Sequence, residues 1–214
     1  MQQSAARTPK TSKRKWRGWW LKQLHMWHWM SAAVSLMAML LFSVTGITLN
    51  HAASIGATPV VVSREAVLPG PLLSALPKTP AASAPLPGPV AAAVVTAVGV
   101  DPTGRAGEWS DDEVYVALPR PGGDGWVSID RTSGKITAET TDRGWISYLN
   151  DLHKGRNAGT AWFWFIDIFA VACILFTLTG LLLLQLHARH RRSTWPLVGL
   201  GLALPVIIAI VFLH

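Results

Sequence analysis

One cysteine, Cys173, stands in 214 residues, so the chain can form no internal disulfide and carries no C-x-x-C-H cofactor-attachment motif. Charge is scarce as well. Only 14% of the residues are Asp, Glu, Lys or Arg while 50% are hydrophobic, which is too apolar for an ordinary soluble domain. The apolar residues come in blocks. Residues 26–49 hold no charged side chain, 161–186 hold only Asp167, and 195–213 hold none. A helix needs about 20 residues at ~1.5 Å each to cross a bilayer core. The first two blocks exceed that length, and the third is at the short end and contains Pro205. The sequence also lacks Gly-x-Ser-x-Gly, His-Glu-x-x-His, a phosphate loop and any flavin or nicotinamide fingerprint, so no common hydrolase or dinucleotide chemistry is written in it.

What charge there is has a pattern. Residues 1–24 carry Arg7, Lys10, Lys13, Arg14, Lys15, Arg17 and Lys22 with no acid, and "HARHRRST" after the second block adds Arg189, Arg191 and Arg192. The stretch 51–158 holds nine basic and eleven acidic residues. The net charge of +7 therefore flanks membrane spans on one side, as the positive-inside rule requires, and points away from nucleic acid. This predicts a cytoplasmic N-terminus, residues 51–158 outside, a cytoplasmic loop at 188–195 and the C-terminus outside. The first apolar run is longer than the 7–15 residues of a signal peptide, so it is expected to be retained as an anchor.

The expected architecture is a mainly α membrane protein: three transmembrane helices, at 25–50, 159–187 and 196–213, with a small α+β domain between the first and second. The basic tail occupies 1–24. Within 51–158, residues 68–93 have seven prolines and one charge, Lys78, and read as an extended linker with room for a short helix. Residues 94–145 read as a module with a hairpin: "VYVALP" alternates, and "GWVSIDRTSGKITAET" has two β-like runs around Asp130 and Gly134. One internal echo stands out. "LFSVTGI" at 41–47 returns as "LFTLTGL" at 175–181, in spans of opposite direction, as in an inverted pseudo-repeat. Gly beside Thr lets helices, or a flat group, approach closely; plain helix packing is the alternative reading.

Six of seven histidines sit at the ends of the first two spans. His25 and His28 in "LKQLHMWHWM" open the first on the basic side, and His187 and His190 close the second. His51 and His153 mark the outer ends. His28 and Gly46 are 18 residues apart, five helical turns, and His187 follows Gly180 by seven, so each shares a stripe with a glycine. His25 and His190 lie off those stripes. If the Gly-Thr faces look at each other, His28 and His187 converge and suit the axial positions of a haem, with Lys22 and Arg189 near its propionates. The bland reading is polar end-caps at the interface, and a mononuclear copper or zinc site on the i, i+3 pairs is a further option. His51 lies ~35 Å of helix beyond His28, so a haem held by His51 and His153 would be a second one. Trp162 and Trp164 read as interfacial anchors. Asp167, about two turns inside its span, is a functional suspect, to be explained by a partner such as Arg156 or by protonation.

"LHMWHWMSAAVSLMAMLLFSVTGITLNH", "VSIDRTSGKI" and "YLNDLHKGRNAGTAWFWFIDIFAVACILFTLTGLLLL" resemble, respectively, the opening helix, the domain hairpin and the returning segment of the PepSY-associated transmembrane proteins. The resemblance covers roughly residues 20–192 and leaves the Pro-rich stretch unmatched. Larger members are bacterial inner-membrane ferric-siderophore reductases holding b-type haem through paired histidines. The resemblance implies one or two haem b, with His28 (or His25), His51, His153 and His187 as candidate ligands, and a ferric complex or siderophore as electron acceptor. This chain has three spans rather than four or more, so a homodimer or another subunit would complete the sites and supply electrons. The competing reading is a non-redox scaffold whose outer domain binds another envelope protein. Metal handling without haem is the third.

Overall fold

The computed structural model describes residues 11–78, 82–188 and 191–213, with side chains from residue 15 in the first helix. The chain forms two compact units, Met1–Leu40 with Ile166–His214, and Leu41–Phe165. The boundary falls inside two long helices, α1 (Thr11–Asn50) and α5 (Gly159–His187).

The first unit is made of α1 up to Leu40, α5 from Ile166, and α6 (Thr194–Phe212). All three helices are long and apolar enough to cross a membrane. Helix α1 starts well before the expected residue 25, because only Gly18 interrupts a run of helix-compatible residues in the basic stretch. It presents small hydroxyls to α5. Ser31 and Ser35 are buried, and each donates back to a carbonyl four residues earlier, Ser31 to Trp27 and Ser35 to Ser31. That satisfies the hydroxyls internally and leaves a thin surface against which Cys173 meets Ser35. Among the described residues helix α6 has no buried side chain, and its Trp195 Nε1 donates to Gln185 Oε1 at 2.8 Å.

The second unit is built on a five-stranded antiparallel sheet. Its strands are β1 (Val60–Val67), β2 (Gly107–Trp109), β3 (Glu113–Ala117), β4 (Gly123–Asp130) and β5 (Lys135–Asp142), in the order β1-β5-β4-β3-β2. The expected hairpin is β4–β5. Asp130 Oδ1 accepts from the backbone N–H of Thr132 and Ser133, and Gly134 closes the turn at φ 73°, a value Gly adopts without strain. One face of the sheet buries Val114, Val116, Val127, Ile129 and Ile136.

The partner of that face comes from the stretch expected to be a linker. Residues 68–93 are not extended: they contain α2 (Gly70–Ser74) and the start of α3 (Gly88–Val98). Leu68, Leu76 and Leu86 are buried, as are Val90, Ala91, Val94 and Val98 of α3. The prolines misled because position matters more than number. Pro87 and Pro89 flank the first helical residue, where a missing N–H costs nothing, and Gly99 at φ 67° ends the helix. Arg64 Nη1 then donates to the Val98 carbonyl at 2.8 Å, placing a cation at the helix's negative end. The domain also begins earlier than residue 94, since "VVVSREAV" forms edge strand β1 against β5.

A last helix, α4 (Trp145–Lys154), runs between Gly144 and a left-handed Gly155. Asp151 Oδ2 accepts from the Gly122 N–H at 2.9 Å, and Thr48 of α1 donates to Asn150 Oδ1 at 2.8 Å. The turn before β4 and the end of α1 therefore both hold α4.

Candidate functional site

His28 is half-buried because its ring leaves α1 and lies on α5. It stacks on Phe176 with centroids 4.7 Å apart and planes 13° from parallel. Its Nδ1 is 3.0 Å from Thr179 Oγ1 and 3.2 Å from the Phe176 carbonyl oxygen. A Cβ at Gly180 would stand 3.2 Å from His28 Cε1, so the bare backbone there is what admits the ring. Phe176, Thr179 and Gly180 are spaced i, i+3, i+4 and share one helix face.

The second unit repeats the arrangement with other elements. His153, in the last turn of α4, puts Nδ1 2.8 Å from Thr45 Oγ1. Its ring lies 5.0 Å from that of Phe42, tilted by 43°. A Cβ at Gly46 would meet His153 Cε1 at 3.4 Å. Phe42, Thr45 and Gly46 hold in "LFSVTGI" the places of Phe176, Thr179 and Gly180 in "LFTLTGL". Each echo is thus half of a histidine seat. Each Gly-Thr face is occupied by an imidazole from a different element.

The surroundings of the two seats differ. His28 and His187 border one groove of about 390 Å³, walled by Gly180, Leu183 and Leu184. His187 Nδ1 is held by the Leu183 carbonyl of its own helix at 2.8 Å. Among the described residues, no hydrogen-bond partner meets Nε2 of either ring. Around His153 only about 20 Å³ is open, bounded by Leu149, Leu152 and Trp162. Trp162 Nε1 donates to the Leu152 carbonyl at 2.8 Å, so this tryptophan fastens the seat.

The other expected residues are not drawn in. His25 is exposed, with Nδ1 2.8 Å from the Leu21 carbonyl of its own helix. His51 is exposed with Nδ1 3.0 Å from the Ile47 carbonyl, and among the described residues no hydrogen bond or ring contact joins it to His153. His190 and Arg189 lie outside the described residues. Asp167 is exposed on α5 and makes no hydrogen bond or ion pair among them. No three His, Cys, Asp or Glu side chains come together in metal-binding range among the described residues. An opening of about 610 Å³ lies in the second unit between Ala52, Thr58, Arg143, Trp145 and Asn150. Reading the sequence missed the roles of Phe42, Thr45, Phe176 and Thr179, although all four stood inside the echo.

Three membrane-length helices, with a sheet domain between the first and second in chain order, define a membrane protein carrying an inserted α+β module. Residues 19–214 match the PepSY_TM-like family, and the chain belongs to it. Comparison with curated proteins and with solved structures gives no match.

Proposed function

We propose that this protein is a b-type haem electron carrier of the bacterial inner membrane, acting as a ferric-complex or ferric-siderophore reductase or as a subunit of one. The observation that carries the reading is the shared groove. His28 from α1 and His187 from α5 border it, each ring engaged through Nδ1 and bare at Nε2. Leucine walls and a glycine floor suit a flat apolar macrocycle, so the residues fit haem. His28 and His187 would hold it through Nε2, and bound there it would supply one-electron carriage.

The chain's own part is ligation, orientation and exclusion of water. Thr179 and the Phe176 stack fix the His28 ring, while Leu183 and Leu184 keep the groove apolar. The filled surroundings of His153 and the exposed, self-bonded His51 favour one haem over two. Arg143 and Trp145 at the larger opening offer a cation and an aromatic face to an anionic ferric complex. The orientation that the charges imply puts this domain in the periplasm and the N-terminus in the cytoplasm. A reporter active only outside the cytoplasm should work when fused near Gly122 and be silent at Ser193.

The deciding experiment is an absorption spectrum of the detergent-purified protein, oxidised and dithionite-reduced. The reading requires a red protein whose bands sharpen on reduction. A colourless protein from haem-replete cells would instead promote the scaffold reading. One observation favours that alternative: the sheet face opposite α3 carries Glu65, Glu108, Asp124 and Glu139 around a stacked Tyr115–Trp126 pair. Partial burial and the charges of Asp124 and Glu108 push the Tyr115 hydroxyl above its usual range.

A further inference from the structure

We propose that Thr45 and Thr179 are positioning residues that fix the tautomer of the histidines seated on them, holding the ring proton at Nδ1 and leaving the lone pair on Nε2. A threonine hydroxyl has one proton to donate. Thr179 Oγ1 lies 2.6 Å from the Leu175 carbonyl and 3.0 Å from the Phe176 carbonyl, and both of those oxygens can only accept. The single hydroxyl proton is therefore given to the threonine's own helix. What remains towards His28 is a lone pair, and a lone pair at 3.0 Å from Nδ1 calls for a proton on that nitrogen. The Phe176 carbonyl, 3.2 Å from the same Nδ1, makes the same demand.

Thr45 repeats this logic. Its hydroxyl is 2.9 Å from the Leu41 carbonyl and 3.2 Å from the Phe42 carbonyl, so it too accepts from its histidine, His153 Nδ1, at 2.8 Å. A neutral imidazole has one ring proton, so with Nδ1 protonated Nε2 is the free base. The parts of each seat divide the work. Phenylalanine sets the plane of the ring, glycine sets how near it comes, and threonine decides where the proton sits. Phe-x-x-Thr-Gly on a helix is thus a histidine seat that this chain uses twice, once for a histidine of α1 and once for one of α4.

At His28 the consequence rests on the haem reading: an Nδ1–H···O bond leaves Nε2 as the ligand and raises its basicity. At His153 it rests on nothing but the contacts, so that seat is the place to test it. Haem-free protein labelled with ¹⁵N-histidine is examined in detergent by NMR, and a His153→Gln sample identifies the His153 signals by their loss. The expected spectrum shows a protonated Nδ1 and an unprotonated Nε2. Thr45→Ser should preserve it, whereas Thr45→Val, which keeps the shape and removes the acceptor, should bring in the Nε2–H form. A wild-type His153 protonated at Nε2 overturns the proposal whether or not the variants fold. So does a folded Thr45→Val with an unchanged spectrum. In haem-loaded protein, Thr179→Val should raise the midpoint potential and Thr179→Ser restore it. A protein that takes up no haem would remove the electron-transfer reading and leave the His153 result standing.

Discussion

The seats of His28 and His153 use the same three residue types at the same spacing, yet one opens on about 390 Å³ and the other on about 20 Å³. The seat does not make a site. It orients an imidazole, and the neighbouring side chains decide whether anything can reach the free nitrogen. Beside His28 stand a second histidine and two leucines; beside His153 a tryptophan fills the space and is fastened by its own N–H.

The largest effect should separate the two histidines. His28→Ala or His187→Ala should abolish haem binding, read as loss of the visible band, while His153→Ala and His25→Ala keep it. Bleaching by His153→Ala as well would collapse the distinction. Trp162→Ala comes next. It removes a half-buried aromatic and its hydrogen bond from the filled seat, at a cost of about 3 kcal/mol, seen as a lower thermal midpoint at unchanged haem content.

The glycines give a graded test. An alanine methyl at Gly180 would stand 3.2 Å from His28, closer than side chains normally sit, whereas at Gly46 the distance of 3.4 Å is at the edge of ordinary contact. Gly180→Ala should therefore weaken haem retention about tenfold, corresponding to ~1.4 kcal/mol of overpacking, and Gly46→Ala should change little. Equal effects at the two positions would mean that the ring shifts freely in both seats.

Asp167 bears on the first unit alone. A carboxyl on a spanning helix is costly in lipid unless it is protonated or paired, and pairing with another chain is open to test. Asp167→Leu should lower the mass of the native assembly in detergent and Asp167→Asn should preserve it; identical masses for both would make the residue incidental.

The smallest effect lies in the sheet unit. The N–H groups of Ser133 and Thr132 hold the Asp130 carboxyl below its ordinary value of 3.8. Because the folded form prefers the charged group, its stabilisation is fully present above that value and is lost as the pH falls through the depressed one. The thermal midpoint of wild type should drop slightly further than that of Asp130→Asn on acidification below pH ~4.

The spans were legible because crossing lipid demands long apolar runs, a property of composition along the chain. The β4–β5 hairpin was legible because Asp130 and Gly134 are local turn chemistry. Helix phase set His28 apart from His25; in the structure the His28 ring lies against α5 and His25 bonds its own helix, which is a difference of packing and not a test of ligation. Helix α3 was hidden by its prolines, and strand β1, although its valines favour a strand, is defined by its distant partner β5, with Val67 opposite Lys135. The seats were half legible. The echo at 41–47 and 175–181 announced two like surfaces, but no sequence pattern says which imidazole, arriving 148 residues away from Phe176 or 108 from Thr45, will lie on them. Helix periodicity fixes which residues share a face. Which face meets which, and how much room remains beside it, is decided only when the elements pack.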